Sequence, residues 1–371
     1  LAASLPARAA DIERIWLTHR TPDDATITIH WETKEPGGSV VDFGLDDKLS
    51  DRVAIQESAT LHHVDVPLAQ TDTVYAYRVS TGGRRSEIHH FRSLPVDELR
   101  VAVVADTGAS MDAWPAAVLA QKPHLLLSAG DHVPALHGAQ PVAPDTTTAF
   151  STCVDKAPEL FQTTPWIPLL GNHDREIRSR GPGPKPPDEP VYDVEATAYR
   201  KFFGLPATGW RWHFDVPRFG LRFVAADLSH LSDLGTNWQT CHPFAKGSAQ
   251  FAWYEGLMKE NTQPFLITLY NEKNSTVRGL EKGEWGRLIA RGSAAITGFG
   301  YFAERAEVDG FPYFNTSVKG KGATYKDPKT TAFFSEDNFL LLTFQREPRT
   351  LKVEIRAVDG RVLDTREIAP R

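Results

Sequence analysis

Trp166-Ile167-Pro168-Leu169-Leu170-Gly171-Asn172-His173-Asp174 is the stretch that decides how this chain is read. A mostly apolar run passes directly into Gly, Asn, His and Asp, the pattern of a buried strand whose end delivers polar side chains to a cleft. Two similar stretches precede it. Val101-Ala102-Val103-Val104-Ala105 runs into Asp106-Thr107-Gly108, and Leu125-Leu126-Leu127-Ser128-Ala129 runs into Gly130-Asp131-His132. Three apolar strands ending in Asp, Asp and Asn-His predict one convergent polar site at the edge of an α/β sheet.

Outward from that edge, two textures divide the 371 residues. From Asp11 to about Pro95, short alternating runs are separated by turn signals such as Pro22-Asp23-Asp24, Gly37-Gly38 and Gly82-Gly83. The runs are Ile12–Thr18, Thr26–Thr33, Ser39–Phe43, Ala59–Val66, Thr73–Ser80 and Ile88–Phe91, and this spacing predicts a fibronectin-like β-sandwich over 11–96. Ser93-Leu94-Pro95-Val96 is the expected boundary. From 97 to 371, longer apolar strands alternate with helical windows, the mark of a layered α/β unit. Helices are expected at Asp112–Ala120, Ala157–Gln162, Glu195–Phe203 and Ser248–Glu260. Further strands are expected at Leu221–Ala226, Phe265–Tyr270, Ala294–Thr297, Thr331–Phe334 and Phe339–Gln345, with a closing hairpin around Asp359-Gly360.

A net charge of −6 without a long basic run argues against a nucleic-acid binder. No run is long and apolar enough for a membrane span. Leu1 to Ala10, rich in Ala and Leu, reads as the tail of a secretory signal or as a disordered end, which predicts a secreted or periplasmic protein. The two cysteines, Cys153 and Cys241, are read as a candidate disulfide, which over a loop of about 87 residues would be worth ~4 to 5 kcal/mol on chain-entropy grounds, with two unrelated thiols as the alternative. Arg175 to Pro190 carries Arg175, Arg178, Arg180 and Lys185 among Gly and Pro. It reads as a solvated loop or as a basic flap that favours an anionic substrate.

The blocks at these strand ends resemble those of the purple acid phosphatase branch of the calcineurin-like metallophosphoesterases. Asp106-Thr107-Gly108 matches the Asp-x-Gly block, Gly130-Asp131 the Gly-Asp-x-x-Tyr block, and Gly171-Asn172-His173-Asp174 the whole Gly-Asn-His-Asp/Glu block. The resemblance spans roughly 11 to 371 and implies a fibronectin-like domain followed by a four-layer α/β/β/α sandwich. It also implies metal ligands at Asp106, Asp131 and Asn172. The remaining ligand positions depart from the family. Pro134 stands at the tyrosine, Asn271 at the histidine of the Val-x-x-His block, and Phe299 and Tyr301 at the histidines of Gly-His-x-His. Without imidazoles, a dinuclear Fe, Zn or Mn centre is not expected, and one divalent ion on the two Asp residues is the most the set predicts.

The candidate catalytic set is therefore His173, Asn172, Tyr301, His132 and Asn271, able to move protons and stabilise an oxyanion if they converge. Three functions follow as expectations. One is hydrolysis of a phosphate ester at a degenerate metal site. Another is lyase or hydrolase chemistry on an acidic glycan, and the last is glycan or protein binding without turnover. An anionic small molecule or acidic glycan is the expected partner. His230, His242, Trp210, Trp212 and Trp238 are rim candidates, with structural roles favoured for the histidines.

Overall fold

The computed structural model describes residues 11–20, 22–181, 188–322 and 325–371. The expected signal segment at 1–10 and Lys185 of the basic flap lie outside the described residues. Glu98–Val104, Leu125–Ser128 and Trp166–Pro168, the three strands inferred from the polar blocks, pair in parallel. Asn338–Gln345, Thr350–Ala357 and Val362–Ile368 extend that sheet antiparallel from the other side of Glu98–Val104. A second sheet has the order Trp212–Val216, Leu221–Ala225, Phe265–Tyr270, Ala294–Thr297, Phe311–Asn315, Ala303–Val308, Thr330–Phe334.

Side-chain alternation along the strands then sets the layers. Val101, Val103, Leu125 and Leu127 meet Phe223, Ile267, Leu269 and Ile296 in a core between the two sheets. The intervening Ala102, Val104 and Leu126 face the other way, against Trp114, Phe150, Leu160 and Phe202 of the helices Trp114–Leu119, Thr148–Asp155, Pro158–Thr163 and Thr197–Phe202. Val224, Leu266 and Ala295 do the same on the far side of the second sheet, against Phe251, Tyr254 and Trp285 of Ala249–Glu260 and Asn274–Ile289. The result is an α/β sandwich with helices outside two facing sheets. Burying each large apolar side chain contributes ~1.5–3 kcal/mol, and the inter-sheet core and the two helix-facing cores all add to stability.

The N-terminal region is all β. Its centre is one long strand, Thr26–Gly44, and here the structure differs from the two strands inferred around Gly37-Gly38. The chain passes straight through these glycines with register shifts against Asp51–Pro67. Gly37 lies so close to Thr81 that a Cβ would come within 2.7 Å of its methyl group, so glycine here serves close approach rather than reversal. The first half of this strand pairs with Ile12–Thr18 and the second half with Val74–Thr81. Ile15 and Leu17 enter the region's own core, while Trp16 between them points into the helical layer of the α/β part and stacks on Phe202 at 4.2 Å.

The candidate disulfide is not formed, and both cysteines are free and buried. Cys153 sits on the helix Thr148–Asp155 and packs outside the first sheet, whereas Cys241 packs outside the second. With the inter-sheet core between those two layers, the sulfurs have no route to bonding distance. Burial pushes each thiol up to about 12, so both behave as inert apolar residues.

Candidate functional site

The parallel strands of both sheets end on the same side of the sandwich, and their loops interlock there. Asp106 N–H donates to the Gly130 carbonyl at 3.1 Å, and Gly108 N–H to that of Asp131 at 3.1 Å. Val318, beyond the second-sheet strand Phe311–Asn315, donates to the carbonyl of Ala105 at 3.0 Å. Asp106, Asp131 and Tyr301 all adopt left-handed backbone, with φ of 57°, 60° and 61°. Left-handed geometry is costly outside glycine, ~1–2 kcal/mol for an ordinary residue, and all three of these loops carry that cost.

Asp174 organises the first-sheet half. Its carboxylate accepts from Gly171 N–H (2.8 Å), Asp131 N–H (3.0 Å) and His132 N–H (2.7 Å), and lies 2.8 Å from His132 Nδ1. Burial would raise its pKa, but the His132 ring and these donors outweigh burial and lower it. His132, one of the candidate catalytic residues, is fully buried, with Nε2 on the Ser128 hydroxyl, which also accepts from Trp166 Nε1. It props the loop rather than facing the cleft. Asp131 in turn accepts from His173 N–H at 3.0 Å. Gly171 is required because a Cβ there would lie 2.2 Å from Asp131 Oδ1.

Asn271 does corresponding work in the second-sheet half. Its amide nitrogen donates to the carbonyls of Ala129 at 2.9 Å and Gly298 at 2.6 Å, and its oxygen accepts from Ser229 at 3.3 Å. Both amide hydrogens are thus committed to holding the sheets' loops together. Phe299 turns to Tyr325, with Lys273 Nζ over both rings. Tyr301 is half-buried beneath Lys319.

Electrostatically, Asp106, Asp131, His173 and Tyr301 act on one another. Burial, then the Asp131 charge, pushes Asp106 up to about 8, and Asp106 Oδ2 is buried with no hydrogen-bond partner. Burial also raises Asp131, against the opposing pull of His173. Burial would lower His173, but Asp131 and then Glu176, 3.3 Å from its Nδ1, raise it to about 9. Burial followed by the charges of Asp106 and Asp131 brings the Tyr301 hydroxyl to about 12. At neutral pH the set is an imidazolium, a neutral phenol and a carboxyl pair that resists full ionisation.

Several partners were not assigned a role by the sequence. Asp174 and Glu176 orient the loop and His173, while Ser317 pulls Asp106 down and Asn172 pulls Tyr192 down, each against the larger effect of burial. Position in the Gly-Asn-His-Asp block was the only signal for Asp174. Arg175, grouped with the basic flap, is instead fully buried and bonded to Asp227 at 2.6 Å. Arg178 pairs with Glu189, and Arg180 lies over Tyr192 and Trp238 at 5.3 and 6.0 Å and near His230. Burial, with Arg180 and His173 nearby, lowers His230 to about 4. His242 is structural, bonded to Asp227 at 2.7 Å and stacked on Trp210 at 3.7 Å.

These residues do not fit a dinuclear metal centre. Asn271 commits its amide nitrogen to two backbone carbonyls and its oxygen to Ser229, and Phe299 has no ligand atom. Among the described residues, no group of three or more His, Cys, Asp and Glu side chains is arranged to hold an ion. The unpartnered Asp106 Oδ2 is the one carboxylate oxygen of the pair shown to be left over.

Both the sandwich and the order of its blocks place the site in a known class. The calcineurin-like phosphoesterase family profile matches residues 99–284, half of the chain, and the chain belongs to that family. Among solved structures, purple acid phosphatase PPD1 from yellow lupin (Lupinus luteus) seeds is 15% identical, with a TM-score of 0.68 over 96% of this chain and 74% of that one. PhoD is 13% identical, with a TM-score of 0.66 over 96% and 88%. At these identities the likeness is one of fold. No curated protein matches the sequence.

Proposed function

We propose that the chain is an exported hydrolase that acts on an anionic ester, a phosphate ester first, at a site that has exchanged the dinuclear centre for side-chain acid chemistry. The observation that carries this reading is the closure of the Asn271 position by its two backbone carbonyls, opposite an Asp106–Asp131 pair coupled to His173 and Tyr301. The purple acid phosphatase among its structural relatives supports the substrate class. In this reading His173 holds the proton delivered to the leaving oxygen, Asn172 and Tyr301 donate hydrogen bonds to the anion, and His132 and Asn271 position the loops. Asp106 and Asp131 are the carboxylates that a single added divalent ion would contact.

A second reading, lyase or hydrolase action on an acidic glycan, is favoured by one observation. Arg180, Tyr192 and Trp238 form a cationic and aromatic wall beside Asn172, suited to a sugar ring bearing a carboxylate. In this reading the 11–96 region is a fibronectin type III-like support and 97–371 the catalytic unit. Secretion or residence in a periplasm is part of the same reading. Among the described residues no helix is long and apolar enough to cross a membrane.

The deciding experiment is elemental analysis of protein purified without chelators, with turnover of p-nitrophenyl phosphate and of uronic-acid polymers measured with and without added Mn, Zn and Mg. Turnover of the phosphate ester that survives chelation and is lost in His173→Asn supports the proposal. Two ions per chain with metal-dependent turnover would overturn it. Glycan cleavage alone selects the second reading, and ligand binding without turnover of either substrate makes the chain a binding protein.

A further inference from the structure

The segment Trp210-Arg211-Trp212-His213-Phe214 enters the edge strand of the second sheet, and Trp166–Pro168 is the edge strand of the first. Between these two edges lies a cavity of about 370 Å³, roofed by Thr18, His19 and Arg20 of the N-terminal region. That volume falls in the range of small-molecule sites, ~300–1,000 Å³. None of the Asp106, Asp131, Asn172, His173 and Tyr301 group lines it. Its walls are apolar and aromatic, with Phe203, Leu205, Trp212, Phe214 and Trp253.

The charge of this cavity is one-sided. Among the described residues no Asp or Glu lines it. Arg20 is already neutralised by Asp65, with contacts of 2.8 and 2.6 Å. Arg211 is not neutralised. Its guanidinium lies over Trp210 at 4.7 Å and Trp253 at 4.9 Å, donates to the Ala249 carbonyl at 2.7 Å, and has no carboxylate partner among the described residues. A planar cation with unused donors at the wall of an aromatic cavity is complementary to a carboxylate on a flat apolar body.

We propose that this cavity binds an aromatic carboxylate, its ring against Trp212 and Phe214 and its carboxylate on the Arg211 guanidinium. The site is separate from the candidate catalytic cleft and does not depend on the function proposed there. Trp212 and Trp253 line the cavity, so occupancy reads out as quenching of tryptophan fluorescence.

The test is titration of the full chain with 2-naphthoate and with neutral 2-naphthalenemethanol. Saturable quenching by naphthoate is expected, with the alcohol and the Arg211→Gln variant each at least about tenfold weaker. Thr208→Trp, at an exposed position on the lining, should block naphthoate without touching the core. Asp131→Asn should leave naphthoate affinity as it is. Absence of saturable quenching, equal affinity for acid and alcohol, equal affinity in Arg211→Gln, or loss of binding in Asp131→Asn would overturn the proposal. If Arg211→Gln does not fold, unchanged affinity in Thr208→Trp overturns it.

Discussion

On the first sheet, Asp106, Asp131, Asn172 and His173 stand where the family blocks have them. On the second, Asn271, Phe299 and Tyr301 occupy the positions that the resemblance assigns to histidines. The two halves differ in what else their residues do. On the first, Asp131 anchors His173 N–H and Asp174 gathers three backbone donors, so the polar residues also hold the loops in left-handed turns. On the second, Asn271 uses both amide hydrogens on backbone carbonyls. A neutral imidazole, with one N–H, could not make both bonds. On that half the edge is held together by hydrogen bonds at a position the resemblance gives to a metal-binding histidine.

The first-sheet half depends most heavily on Asp174, whose carboxylate holds three backbone donors. Asp174→Asn keeps the shape but puts an amide beside backbone N–H groups in a fully buried position. A loss of ~3–5 kcal/mol in urea denaturation is expected, the cost of removing one partner from a buried charged network. A loss below ~1 kcal/mol would mean that the first-sheet loops hold their shape without it.

Asn271→His addresses the other half. It leaves one of the Ala129 and Gly298 carbonyls without a donor, and a destabilisation of ~2 kcal/mol is expected. Because Phe299 and Tyr301 still lack imidazoles, no stoichiometric zinc uptake should accompany it in elemental analysis. A variant as stable as the parent that takes up zinc would show that the second half lies one side chain from a metal site.

How much of this was legible follows from local pattern. Apolar runs that end abruptly in polar blocks exposed the three parallel strands of the first sheet, and Phe265–Tyr270 and Ala294–Thr297 were equally plain. Ala303–Val308, with Glu304 and Arg305 inside it, lacks such a run, because Glu304 is buried on Thr330 and Arg305 reaches Asp364. Asn274–Ile289 was hidden by Gly279, Gly283 and Gly286 and by the non-helical backbone at 280–283. Gly37-Gly38 read as a turn because sequence does not show that Thr81 crowds it. Two cysteines in one unit suggested a bridge because sequence does not say which layer each enters. At the site, residue types were readable but their commitments were not, as His132 and Asn271 show.

Histidine supplies the smallest and last test, away from the cleft. Imidazoles are absent from the substituted ligand positions, yet His30 and His63 pack at the seam between the N-terminal region and the α/β part. Their Nδ1 atoms are 2.6 Å apart, His30 Nε2 lies 2.6 Å from the Thr18 hydroxyl, and His30 stacks on Trp16. Burial lowers both, His63 to about 4 and His30 well below its ordinary value of 6.5. The fold therefore holds them neutral while the unfolded chain takes up protons below 6.5. Their contribution is intact above that pH and is lost as pH falls toward 4, by up to ~1.4 kcal/mol per pH unit for each ring. His63→Gln removes one such proton and should lessen the stability lost between about pH 7.5 and 5.5 by ~1 kcal/mol, read by urea denaturation at both values. Equal losses in variant and parent would mean that His63 titrates in the fold as it does in the unfolded chain. The seam would then tolerate the charge that its packing against Trp16 and Phe202 argues it excludes.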